Sequence, residues 1–120
     1  MKDVWVTLVS VVSLLATAAS LFHHYVARVN KARAWLSRGA ILVDVDSAEV
    51  FARVHARGAI NIPAEELPRR ADEVGPKDQS VVVFALRWAR GAQAVHSLRR
   101  SGFVNVLNVA GLHTLEKLRV

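Results

Sequence analysis

A chain of 120 residues is one domain's worth, which excludes two full catalytic domains. It is 52% hydrophobic with a mean hydropathy of +0.26, yet carries a formal net charge of +6 and a pI near 10.8, so apolar and basic residues are expected in separate regions. None of the 120 residues is cysteine, which excludes a disulfide scaffold, Cys-ligated zinc or iron–sulfur centres, and a thiol nucleophile among them.

From Val4 to Phe22 the run VWVTLVSVVSLLATAASLF is free of charge. As a helix rising 1.5 Å per residue it spans roughly 28 Å, close to the ~30 Å of bilayer hydrocarbon. Trp5 and Tyr25 stand near its ends, where amphipathic rings favour the membrane–water interface. Residues 1–25 are therefore read as an N-terminal transmembrane segment, with the lipid membrane as partner through residues 4–22. The rival is a signal peptide: Ala16-Thr17-Ala18 has the small-x-small pattern, and cleavage near Ala18 would export the remainder. Against it, Lys2 stands beside Asp3 in a weak n-region, and apolarity continues through Leu21 and Phe22.

Within the span Thr7, Ser10, Ser13, Thr17 and Ser20 recur at three- and four-residue intervals, which puts five hydroxyls on one stripe. Such a stripe either pairs helices, including a second copy of this one, or bonds back to i−4 carbonyls. Next come Arg28, Lys31, Arg33 and Arg38, with no acid between His23 and Ala40. By the positive-inside rule this flank makes a single-pass protein with its C-terminal domain cytoplasmic. Residues 26–40 read as a basic juxtamembrane helix or linker, with a short amphipathic helix over 26–37 that stops at Gly39.

Residues 41–120 alternate strand and helix patterns. Ile41–Val45 suits a buried parallel strand, and Ser47 caps a helix over 48–55. Ala59–Ile62 is a small strand between Gly58 and Pro63, and 65–74 makes one or two helical turns before Gly75-Pro76. Ser80–Ala85 is the clearest strand; a loop leads to a helix over 91–100, then a strand over 104–109 and a final short helix after Gly111. Alternation of this kind predicts an α/β fold with a mostly parallel sheet flanked by helices. The loop Ala85-Leu86-Arg87-Trp88-Ala89-Arg90-Gly91 carries two arginines and no acid ahead of a helix N-terminus, a setting for an anion or an ordinary basic surface loop.

Three stretches resemble the rhodanese-like (sulfurtransferase) domain, from about residue 31 to 115. The first, ILVDVDSAEVFARVHARGAINIP at 41–63, is similar to the family's strand–Asp–helix–His-x-x-Gly-Ala-x-Asn-x-Pro motif through Asp44, His55, Gly58, Asn61 and Pro63. The second, VVVFALRWARGAQAV at 81–95, resembles the active-site strand, loop and helix; the third is SGFVNVLNVAGL at 101–112. The resemblance implies a cysteine that carries sulfur as a persulfide, held by loop amides and an arginine five residues on. Ala85 falls at the cysteine position and Arg90 at the arginine position, so no catalytic nucleophile is intact. Further departures are Trp88 for a small residue, Gly91 for Ser or Thr, Asp46 for a frequent Arg and Leu112 for Gly.

The expected protein is thus a membrane-anchored pseudoenzyme, a binding or regulatory module; the alternative is a sulfurtransferase present as a nucleophile-less variant. Leu86, Arg87, Trp88, Ala89, Arg90 and Gly91 are the expected contacts for a small oxyanion or a partner protein. Asp44 and His55 are read as structural. No metal or cofactor is expected, and no nucleic acid, because charge outside the juxtamembrane run is diffuse.

Overall fold

The apolar run and the basic run after it form one helix. In the computed structural model, which describes residues 1–118, α1 spans Lys2–Ser37 without a break. The sequence predicts a span and then a separate short helix; nothing between them interrupts helical periodicity, since neither Gly nor Pro occurs before Gly39. The first 24 residues are exposed on every side, and an 18-residue window there has a mean hydropathy of 2.0 with none of it buried. This is one helix long and apolar enough to cross a membrane. Three of its stripe hydroxyls, Thr7, Ser10 and Thr17, donate to the carbonyls of Asp3, Val6 and Ser13 at 2.7–2.9 Å.

The second half of α1 belongs to the domain. Val29 and Ala32 are buried, and the Tyr25 hydroxyl meets the Thr114 hydroxyl at 3.1 Å. The helix ends in a Schellman turn: Gly39 N–H donates to Leu36 O and Ala40 N–H to Trp35 O, with Gly39 at φ +95°. Only a left-handed residue closes this turn, and glycine takes it without a Cβ penalty. The chain reverses there into β1, Ile41–Asp44.

The remaining elements are α2 (Ala48–Arg53), β2 (Ile60–Asn61), α3 (Leu67–Arg70) flanked by 3-10 turns at 64–66 and 71–73, β3 (Val81–Phe84), α4 (Trp88–Arg100), β4 (Val106–Asn108) and α5 (Leu112–Leu118). Ser47 caps α2, its Oγ accepting from Val50 N–H at 3.3 Å. The four strands form a parallel sheet in the order β2-β1-β3-β4. Alternate side chains pack two ways. Val43, Val45, Val81, Val83 and Val106 meet Leu67 of α3 and Ala94 and Leu98 of α4. Leu42, Val82 and Phe84 meet Ala32 of α1 and Leu115 and Leu118 of α5.

Boundaries differ from expectation at several elements: α2 stops at Arg53 because Val54 turns extended (φ −153°, ψ 124°), and β2 keeps only Ile60–Asn61. α4 begins at Trp88, so Trp88–Gly91 form its first turn and the loop is only 85–87: Arg87 is extended (φ −111°, ψ 134°) and Gly91 N–H closes on its carbonyl at 3.3 Å. β4 is half the expected length because Val104 lies 72% exposed outside the sheet.

Candidate functional site

Because all strands are parallel, their C-terminal ends gather at one edge of the sheet, where ligands of such folds bind. Here that edge brings Asp44, Asp46, Asn61, Ala85–Arg87 and Asn108 together. Ala85 is fully buried at the end of β3. Its methyl offers neither a lone pair nor a proton.

The neighbouring polar groups are already satisfied within the chain. The Asp46 carboxylate accepts the Leu86 N–H, at 3.1 and 3.3 Å to its two oxygens. Arg90 donates through Nε to Val45 O and through Nη2 to Glu65 Oε2, both at 2.7 Å. Of the residues expected to hold an anion, Leu86 and Arg90 are thus engaged, while Arg87, Trp88 and Ala89 are exposed. The amides of Trp88, Ala89 and Arg90, ahead of the Gly91 bond that closes the first turn, have no acceptor within their own helix.

Behind this surface lies a buried carboxylate pair. Asp44 is fully buried and Asp46 is 4% exposed. Asp44 Oδ1 accepts the Asp46 N–H at 2.9 Å, and Asn61 Nδ2 ties the two backbone carbonyls, Asp44 O at 3.0 Å and Asp46 O at 2.9 Å. Asp44 Oδ2 has no partner among the described residues. Burial pushes the Asp44 carboxyl up to about 6, the Asp46 charge adding to the rise against the opposing hydrogen bond from Asp46 N–H. Burial raises Asp46 as well, opposed by the Leu86 N–H and the Arg90 charge.

The exposed ring of His55 stacks on Phe51 of α2 at 3.9 Å, and its Nδ1 pairs with Phe51 O at 2.6 Å. Gly58 turns the chain with φ +81°, and Pro63 leads into Ala64, whose N–H bonds Val45 O at 3.0 Å. Among the described residues no three His, Asp or Glu side chains gather as a group able to hold a metal ion.

Three participants carry little signal in the sequence. Asp46 stands out only as a departure from the family pattern. Asn108 packs its amide against Gly91 and accepts the Ala110 N–H at 3.1 Å. Arg28 places its guanidinium carbon 4.9 Å from the Trp88 ring centroid, across 60 residues of chain. Trp88 itself is 53% exposed at the rim rather than buried against the sheet.

The comparisons with known proteins converge on one family. The profile of the Rhodanese-like domain matches residues 28–111, beginning inside α1. The thiosulfate sulfurtransferase PspE of Escherichia coli (strain K12) is 33% identical over 79 residues, covering 65% of this chain and 76% of that protein. The structure of a human single-domain sulfurtransferase, TSTD1, matches with a TM-score of 0.64 and 30% identity over 73% of this chain and 92% of the other. A rhodanese with anions from E. coli matches with a TM-score of 0.59 and 32% identity over 63% and 91%.

Proposed function

The chain belongs to the rhodanese-like domain family, and from that membership we propose a membrane-tethered, non-catalytic member that binds at the family's site and carries no sulfur on it. The observation that carries this reading is the residue at the nucleophile position. Sulfur transfer through a persulfide needs a thiolate, and Ala85 has none to offer, nor does any other residue of the chain. Asp46 adds to this: a buried carboxylate beside the Leu86 N–H already supplies the negative charge that the cradle would otherwise offer to a substrate.

Binding then falls to Arg87, Trp88 and the first-turn amides of α4, which suit a small oxyanion or the carboxylate of a partner protein. The relative solved with anions supports that choice. The apolar half of α1 serves as the anchor, and the basic run from Arg28 to Arg38 favours a cytoplasmic domain. Pairing of the anchor with a second helix through Thr7–Ser20 belongs to the same proposal, although three of those hydroxyls bond within their own helix.

A thiosulfate:cyanide transfer assay tests it. The unchanged chain is expected to form no thiocyanate above the blank, and turnover there overturns the reading. Ala85→Cys alone should stay weak, because the Asp46 charge beside the loop raises the thiol pKa. Adding Asp46→Asn should lift the rate at least about tenfold, the effect of roughly one pKa unit. Strong turnover from Ala85→Cys alone favours the second reading, a sulfurtransferase whose nucleophile has been replaced, as the sulfurtransferase relatives suggest. Titration with sulfate or thiosulfate should move the amide NMR signals of residues 87–90, and signals unmoved throughout 86–91 would remove the anion from the proposal.

A further inference from the structure

Beside the α4 N-terminus a groove of about 410 Å³ opens between α1, α4 and the edge strand β4. Arg28, Trp88, His96 and Arg99 stand along it, over apolar walls from Val95 and Leu107. Among the described residues no acidic side chain lines it, and no salt bridge among them involves Arg28 or Arg99. The groove is a cationic slot with a half-exposed indole at one end.

Its direction is set by the Gly39 reversal. Leu36 of α1 lies beside the starts of β1 and β2, whereas Arg28 meets Trp88 beyond the end of β3. Tyr25 meets Thr114 beyond the end of β4. The strands therefore run antiparallel to α1, and their C-terminal ends point back toward its apolar half. Arg28 follows Phe22 by six residues, about 9 Å along the helix axis. In a bilayer spanned by residues 4–22 that is just above the headgroup layer, about 5–8 Å thick, and within reach of it for an arginine side chain.

We propose that the Trp88 end of this groove holds the phosphate oxyanion of an anionic phospholipid, with Arg28 as its donor and Trp88 seated in the bilayer interface. An indole with one apolar face and one N–H suits that boundary, and guanidinium groups match a phosphate diester in geometry and charge. The assignment rests on α1 being a membrane anchor, so the experiment reads the two separately.

Full-length chains with a single tryptophan, Trp5 or Trp88, the other two changed to Phe, are placed in nanodiscs with brominated acyl chains. The lipid is phosphatidylcholine, alone or with roughly a third phosphatidylglycerol. Trp5 should be quenched in both. Trp88 should be quenched about twofold more when phosphatidylglycerol is present, an increase lost in Arg28→Ala and kept in Arg28→Lys. An unquenched Trp5 removes the anchor and this site with it. A quenched Trp5 with Trp88 indifferent to lipid charge, or to the arginine changes, overturns this assignment alone. Inorganic phosphate that shifts Trp88 emission in phosphatidylcholine, with phosphatidylglycerol adding nothing, also overturns it and reassigns the groove to a soluble phosphate. An acidic peptide that binds the β4 edge, again without lipid dependence, overturns it in favour of strand pairing.

Discussion

Asp44 illustrates how a residue read as structural acquires a measurable signature. Its carboxyl rises from 3.8 to about 6 through burial, so the folded state holds a proton that the unfolded chain has released. The Asp44 contribution to stability is then full below about pH 4 and is lost as pH rises to about 6, by roughly 3 kcal/mol for a shift of this size. Asp44→Asn keeps an acceptor for the Asp46 N–H and removes the buried charge. It should raise stability at neutral pH by about 1–2 kcal/mol and flatten that slope, as urea-unfolding midpoints at about pH 4.5 and pH 7.5 will read. Gly91 makes the opposite point. Glycine to alanine inside a helix ordinarily stabilises by roughly 1 kcal/mol. Here a Cβ would stand 2.3 Å from Asn108 Oδ1, and Asn108 is buried and bonded to the Ala110 N–H. Gly91→Ala should therefore lower stability by about 1–3 kcal/mol, visible as a fall in melting temperature. The sequence marks Gly91 as a departure from the family; only the packed Asn108 gives the reason.

At the scale of elements, local pattern finds what local physics decides. Gly39, Ser47 and Gly75-Pro76 end or cap their segments where expected, and the unbroken apolar run of β3 marks a strand covered on both faces. What local pattern cannot find is continuity. The apolar half of α1 and its amphipathic half differ only in what surrounds them, so composition divides one helix into two. The start of α4 is missed as well: Trp88, Ala89 and Arg90 read as loop ahead of Gly91, while Arg87 in extended geometry starts the helix three residues early. Ala32 tests the seam between the halves. It is fully buried against the sheet face bearing Val82 and Phe84. Ala32→Leu should cost about 1–3 kcal/mol through overpacking, whereas Leu14→Ala on the exposed stretch should leave the melting temperature of the domain unchanged in detergent micelles.

At the scale of the molecule, the greasy and basic halves of the composition resolve into a rod and a domain that share a helix, within dimensions of 62 × 29 × 28 Å. The α/β class, the parallel sheet and the absence of cysteine are all legible before any coordinates. The internal closure of the site is not, because it joins Asp46 to Leu86 across 40 residues and Arg90 to Glu65 across 25. No spacing rule reaches that far.

The rigid passage from rod to domain has a further consequence. A flexible linker would let the domain tumble and present its strand ends to every direction in solution. Under the proposed anchoring, a continuous helix removes that freedom and holds one side of the domain toward the lipid. In that arrangement water-borne molecules approach the loop from the side, while a molecule resident in the bilayer faces it directly. The search for a partner becomes two-dimensional, and a weak contact that would be negligible in free solution becomes populated at ordinary surface densities.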